Sequence, residues 1–107
     1  MGTWISHLRV AEKLLAVWSD MDAAAFAFGN LAPDSGIPNA DWSAFDPPKT
    51  LTHFLRVGED EGRCQDLVYY RTYLNDAAAD LDPLRMSFRL GYFCHLVCDN
   101  LWGWWIV

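Results

Sequence analysis

His95 and Asp99 stand four residues apart in the stretch from Ser87 to Trp102. That stretch reads as a buried helix, and helical residues four apart lie one above the other on one face, about 5–6 Å apart at Cβ. An imidazole and a carboxylate so placed can converge on one metal ion. The carboxylate then stands where the helical His-x-x-x-His zinc motif has its second imidazole. Leu90, Tyr92, Phe93, Leu96, Val97, Leu101 and Trp102 make the surroundings apolar. A carboxylate there needs a partner, because burying an unpaired charge is costly. A cation would supply one.

Three further side chains are of ligand type and occupy apolar or turn positions: His7, Asp34 and His53. His7 lies beside the apolar stripe of the first helix, where the plainer reading is a histidine at the edge of the core bonded to the backbone. Asp34 follows Pro33 on a turn, where aspartate is an ordinary turn residue. His53 sits between apolar neighbours, where a solvent-facing loop histidine is the simpler account. Yet all three histidines of the chain stand next to large apolar side chains, and imidazole and carboxylate are both good ligands for Zn²⁺. Cys94 and Cys98 offer a rival structural zinc site together with His95. No Cys-x-x-Cys pair and no fourth thiolate accompany them, so they read better as small core residues.

The elements that must position these groups are helices. Thr3 is a candidate N-cap for a helix from Trp4 to Trp18, with Leu8, Ala11, Leu14, Leu15 and Trp18 as its apolar stripe. A second helix starts after Ser19 or Asp20 and runs through Ala23 to Phe28, with Gly29-Asn30 as its stop signal. Pro33 then displays Asp34 on a turn. From Ser35 to Lys49 the sequence is irregular, with Pro38, Pro47 and Pro48, and an ordered loop anchored by Trp42 and Phe45 is expected. Glu59-Asp60-Glu61 suits the first turn of a helix from about Glu61 to Ala79, with Leu67, Tyr70 and Leu74 as its buried stripe. Asp82-Pro83 opens the last helix, aspartate as N-cap and proline at the first helical position. The expected fold is all-α: about four helices and a long ordered loop in one domain covering 1–107. The ending Gly103-Trp104-Trp105-Ile106-Val107 is apolar and lacks a C-cap. It suggests a fragment, a frameshifted product, or a surface covered by self-association.

Composition narrows the function. The 107 residues are 52% hydrophobic and 15% aromatic, which excludes disorder. A formal charge of −6 disfavours a grip on nucleic-acid phosphates. An odd count of three cysteines does not resemble a secreted disulfide framework. No signal peptide is visible, and the segment from Tyr92 to Val107 falls short of the roughly 20 apolar residues of a membrane span. A cytoplasmic location is expected. There is no Gly-x-Ser-x-Gly elbow, and Ser6 beside His7 lacks a defined third partner.

Taken in order, Trp4-Ile5-Ser6-His7, Gly29-Asn30-Leu31-Ala32-Pro33-Asp34, Thr52-His53-Phe54 and Gly91-Tyr92-Phe93-Cys94-His95-Leu96-Val97-Cys98-Asp99-Asn100-Leu101-Trp102 resemble the zinc-dependent phospholipase C family, which is related to the single-strand-specific zinc nucleases. The last motif is the most specific. The resemblance implies an all-helical, zinc-dependent phosphoester hydrolase, and the acidic chain favours a small or lipid phosphoester over a long nucleic acid. The resemblance also implies that Asp34, His53, His95 and Asp99 hold one zinc, and that Asp99 bridges to a second ion also bound by His7. Asp34 would be a ligand or would orient the attacking water. In secreted members an N-terminal tryptophan supplies its amine and carbonyl to that second ion; here Met1, Gly2 and Thr3 precede Trp4. The family's remaining ligands lie downstream of the His-x-x-x-Asp helix, so the chain is expected to be incomplete at its C-terminus and to lack one metal site. The competing expectation is a non-enzymatic helical domain that binds metal for stability or self-associates through its tryptophan-rich end.

Overall fold

The computed structural model describes residues 4–18, 20–55, 64–75 and 82–105. Five α-helices carry the described chain: α1 (Trp4–Val17), α2 (Ala23–Leu31), α3 (Lys49–Thr52), α4 (Asp66–Tyr69) and α5 (Pro83–Trp105). The fold is mainly α, and the expected all-helical class holds. None of the described helices is long and apolar enough to cross a membrane.

Helix α5, 23 residues long, is the axis. It begins as expected: Pro83 opens it and Asp82 Oδ1 accepts the Arg85 N–H at 2.8 Å. Helix α2 packs on it through two glycines. A Cβ on Gly29 would overlap the Phe88 carbonyl oxygen, and one on Gly91 would overlap the Phe26 carbonyl oxygen. The backbones can touch here only because neither residue has a side chain. This corrects the expected stop at Gly29-Asn30: α2 runs on to Leu31, and Gly29 serves the helix crossing instead of a C-cap. At its other end, Asp22 caps α2 by accepting the Ala25 N–H at 2.9 Å. Buried Ser87 on α5 accepts the Asp22 N–H at 2.9 Å. A short 3-10 turn, Ala32–Asp34, follows α2 directly. The glycine crossing therefore delivers this turn to the middle of α5.

Helix α1 presents a different face from the one its hydropathy predicts. Its buried residues are His7 and Ala11, Leu14 and Leu15 are half-buried, and Leu8 and Trp18 are exposed. A hydropathy stripe counts histidine as polar and turns it outward. Here the inward face is centred on an imidazole whose burial is compensated by a carboxylate of α5.

Between Ser35 and Lys49 the loop is ordered, as a small antiparallel pair. β1 (Ile37–Pro38) lies against β2 (Phe45–Asp46), with Ile37 opposite Asp46 and Pro38 opposite Phe45. Asn39 Oδ1 accepts the Ser43 N–H at 3.0 Å and closes the turn. Trp42, expected as an anchor, is 70% exposed and has a positive φ of 62°. The turn geometry carries it away from the core, and only Phe45 is half-buried.

The expected helix from Glu61 to Ala79 is shorter and changes character among the described residues. α4 passes into a π-helical turn at Tyr70–Leu74. The buried residues are Tyr69 and Leu74, whereas Leu67 is 59% and Tyr70 42% exposed. A π turn bonds i to i+5 and so aligns residues five apart, which moves the buried stripe off the α-helical spacing. The acidic cluster Glu59-Asp60-Glu61 lies outside the described residues, as do Thr3, residues 76–81 and the terminal Ile106-Val107. Tyr69, Leu74, Cys64 and Leu96 form the apolar core, with Phe54, Leu55, Met86, Leu90, Tyr92 and Phe93 packed around it. The Tyr69 and Tyr92 rings stack at 4.8 Å.

Candidate metal centre

His95 and Asp99 lie one turn apart on the inner face of α5, both buried. His7 comes from the first turns of α1, Asp34 from the end of the 3-10 turn, and His53 directly follows α3. All five side chains named from the sequence meet in one place. Two overlapping triads, His7 with His95 and Asp99, and Asp34 with His53 and His95, have donor atoms within 4.8 Å of one another.

The orientation of each imidazole has a local cause. His95 Nδ1 lies 2.6 Å from the Asn30 carbonyl oxygen. A carbonyl can only accept, so Nδ1 carries the proton and Nε2 faces the cluster. Asn30 is itself held by its Nδ2, which donates to the Phe26 carbonyl at 3.0 Å. His53 Nδ1 lies 3.0 Å from Thr52 Oγ1, which turns its Nε2 inward too. Buried His53 is thus no solvent-facing loop residue. The Tyr92 hydroxyl donates to the Thr52 carbonyl and ties that segment to α5. Asn100 completes the frame. It accepts the Cys64 N–H and donates to the Cys64 carbonyl, each at 2.8 Å, and Cys64 pairs across to Leu55, two residues beyond His53.

Donor spacing decides what the cluster can hold. A tetrahedral ion with nitrogen and carboxylate ligands at 2.0–2.2 Å has ligand atoms about 3.3–3.6 Å apart. His53 Nε2 is 3.0 Å from Asp34 Oδ1, 3.3 Å from His95 Nε2 and 3.7 Å from Asp99 Oδ2. His95 Nε2 is 3.1 Å from Asp99 Oδ2 and 3.7 Å from Asp34 Oδ2. These five separations bracket the tetrahedral edge, with Asp34 meeting His53 through Oδ1 and His95 through Oδ2. Asp99 turns its other oxygen, Oδ1, to within 3.2 Å of His7 Nε2.

His7 is the least satisfied member. Neither of its buried ring nitrogens has a hydrogen bond of acceptable geometry, although Nε2 makes the ion-pair contact with Asp99. Its ring stacks on that of His95 at 3.7 Å. Burial alone would push this imidazole down; the Asp99 and Cys98 side chains outweigh it and raise it to about 9. Asp34 shows the opposite balance. Burial pushes its carboxyl up, but the hydrogen bond with His53 and the neighbouring His95 imidazole hold it below the usual carboxylate range. A largely buried cluster of two carboxylates and three imidazoles fits a buried cation better than it fits a plain core.

Cys94 and Cys98 are half-buried free thiols, and among the described residues neither sulfur joins a triad. The rival zinc site built from Cys94, His95 and Cys98 therefore has no support in the geometry, because His95 points its free nitrogen at the carboxylates. The Cys94 thiol, with His7 nearby, pulls the Cys98 thiol down. Sequence reasoning missed Asn30, Thr52 and Asn100. The signal for Asn100 was a second polar residue beside Asp99 in an apolar helix. Asn30 was masked by its apparent role as a stop signal. No protein-family model matches the chain, and no curated protein and no solved structure is significantly similar to it.

Proposed function

We propose that this chain is a zinc-dependent phosphoester hydrolase domain of the phospholipase C type. The observation that carries the reading is the convergence of the Asp34 and Asp99 carboxylates on the His53 and His95 Nε2 atoms, with separations of 3.0 to 3.7 Å. These four would hold one zinc, and Asp99 would share its second oxygen with an ion also bound by His7. Zinc bound there supplies Lewis acidity, polarising a phosphoryl oxygen and lowering the pKa of water towards about 7. The chain's own residues do the positioning. Asn30 holds the His95 tautomer through its carbonyl, and Thr52 orients His53. Asp34 is the member most open to solvent, with 17% of its side chain exposed. It is placed to orient water or to yield its position to substrate. The negative net charge favours a small or lipid phosphodiester over a long nucleic acid.

A second reading is favoured by one observation. Four protein ligands on one ion would leave it no open position, as in structural zinc sites, whereas catalytic sites keep one. On that reading the metal stabilises a helical domain that performs no chemistry.

Metal content by mass spectrometry, on protein purified without chelator or histidine tag, tests both. One or two zinc ions per chain are expected, with loss of zinc in His95→Ala and in Asp99→Ala. Zinc-free folded protein, or unchanged stoichiometry in both variants, ends both readings. With zinc bound, hydrolysis of a chromogenic phosphodiester separates them: turnover abolished by Asp34→Ala supports the hydrolase, and no turnover supports the structural site.

A further inference from the structure

Cys94 and Cys98 have no part in the metal reading, yet their sulfurs are 3.9 Å apart on the same turn of α5. We propose that this pair is a modification site: a hydroperoxide oxidises it to a disulfide, and the bond dismantles the arrangement of His95 and Asp99. The consequence for metal rests on the metal reading; the bond itself does not.

The geometry sets two conditions against each other. The thiols are near enough to react after a small rotation. The helix, however, holds residues four apart with Cβ atoms about 5–6 Å from each other, whereas a disulfide needs about 3.5–4.5 Å. Closing the bond must therefore draw the two Cβ atoms together by roughly 0.5–2.5 Å. Each cysteine directly precedes a proposed ligand, Cys94 before His95 and Cys98 before Asp99. The turn that is pinched is the turn that sets the spacing of those ligands. Metal–ligand distances fall within about 0.2 Å of their standard values, so pinching this turn is expected to weaken metal binding. The third cysteine, Cys64, is buried, and its backbone is clamped by Asn100; it serves as an internal control.

The step balances with peroxide as oxidant. One thiolate attacks a peroxide oxygen, the O–O bond breaks, and a sulfenic acid and water form. The second thiolate attacks that sulfur and the oxygen leaves as water. The two thiols together lose two electrons and two protons, and one hydrogen peroxide becomes two waters.

The test treats the reduced full chain with hydrogen peroxide and reads intact mass, peptide map and zinc affinity by chelator competition. Loss of two hydrogens is expected, mapped to Cys94–Cys98, retained in Cys64→Ser and absent in Cys98→Ser. Zinc affinity should fall about tenfold or more and return on reduction with dithiothreitol. Oxygen addition without a crosslink overturns the proposal, as does a Cys94–Cys98 crosslink that leaves zinc affinity unchanged. If the reduced chain binds no zinc, the metal reading fails by itself; the peptide map then decides the modification site alone, an absent crosslink overturning it.

Discussion

His95 and Leu96 are consecutive residues of α5 and both are fully buried, but they serve opposite kinds of interior. Leu96 enters the apolar core with Tyr69 and Leu74. Its contribution is area removed from water, which depends little on angle. His95 enters a polar cluster in which every contact has a direction, from the Asn30 carbonyl on one nitrogen to two carboxylates and a second imidazole on the other. One turn of helix thus feeds a region that tolerates rearrangement and a region that does not. The comparison teaches that burial by itself does not measure function here; what sets the two regions apart is whether buried groups are oriented.

The largest expected effect breaks both regions together. Gly91→Val would drive a side chain into the Phe26 carbonyl and part α2 from α5, costing about 3 kcal/mol or more. Denaturant unfolding would read it, and zinc binding should fall in the same variant, because the Asp34 turn rides on α2. Zinc loss without destabilisation would break the link between crossing and site.

Leu96→Ala and His95→Ala should separate the regions. Leu96→Ala is expected to lower stability by about 3 kcal/mol while keeping the gain on adding zinc, about 2.7 kcal/mol at a hundredfold excess over Kd. His95→Ala should lose that gain entirely. Thermal melts with zinc and with chelator give both numbers. A zinc-dependent gain in His95→Ala would erase the distinction.

A pH series sharpens the comparison further. In the metal-free fold His7 is raised from 6.5 to about 9. Its pairing with Asp99 then contributes stability that is complete below about pH 6.5 and is lost as pH climbs through about 9. His7→Gln should flatten the stability profile across that window, and Leu96→Ala should leave the profile's shape alone. Zinc uptake at neutral pH should also release a proton, since the imidazole must be neutral to ligate.

The smallest effect expected is at Thr52. Thr52→Val removes the hydroxyl that meets His53 Nδ1 and should weaken zinc binding about tenfold with little change in the chelated protein's melting point. An equal loss of stability with chelator present would mean that Thr52 serves the core, not the site.

Much of the fold was legible from local signals. The start of α5 is written in Asp82-Pro83; α2, expected to start after Ser19 or Asp20, is instead capped by Asp22 and starts at Ala23. The signals failed where a residue's role lay in another segment. Gly29 has the chemistry of a helix stop, but its neighbour Phe88 in α5 makes it a crossing point. Of the expected stripe Leu67, Tyr70 and Leu74, only Leu74 is buried; the π turn at Tyr70–Leu74 pairs it with Tyr69 and leaves Leu67 and Tyr70 exposed. Trp42 looks like an anchor by size, and a turn with positive φ carries it outward.

For the candidate site, the division follows from chemistry. Residue types and the four-residue spacing of His95 and Asp99 were enough to name five ligand-type side chains, because helical geometry is local and donor chemistry belongs to the side chain. Their convergence was not determined that way. It depends on two glycines letting α2 and α5 touch, on α1 turning His7 inward, and on Asn100 pinning the strand partner of the His53 segment. Those are contacts between residues far apart in the chain, and local periodicity carries no record of them. Only the tertiary structure decided which nitrogen of His95 is free, because the carbonyl that fixes it belongs to Asn30, 65 positions away.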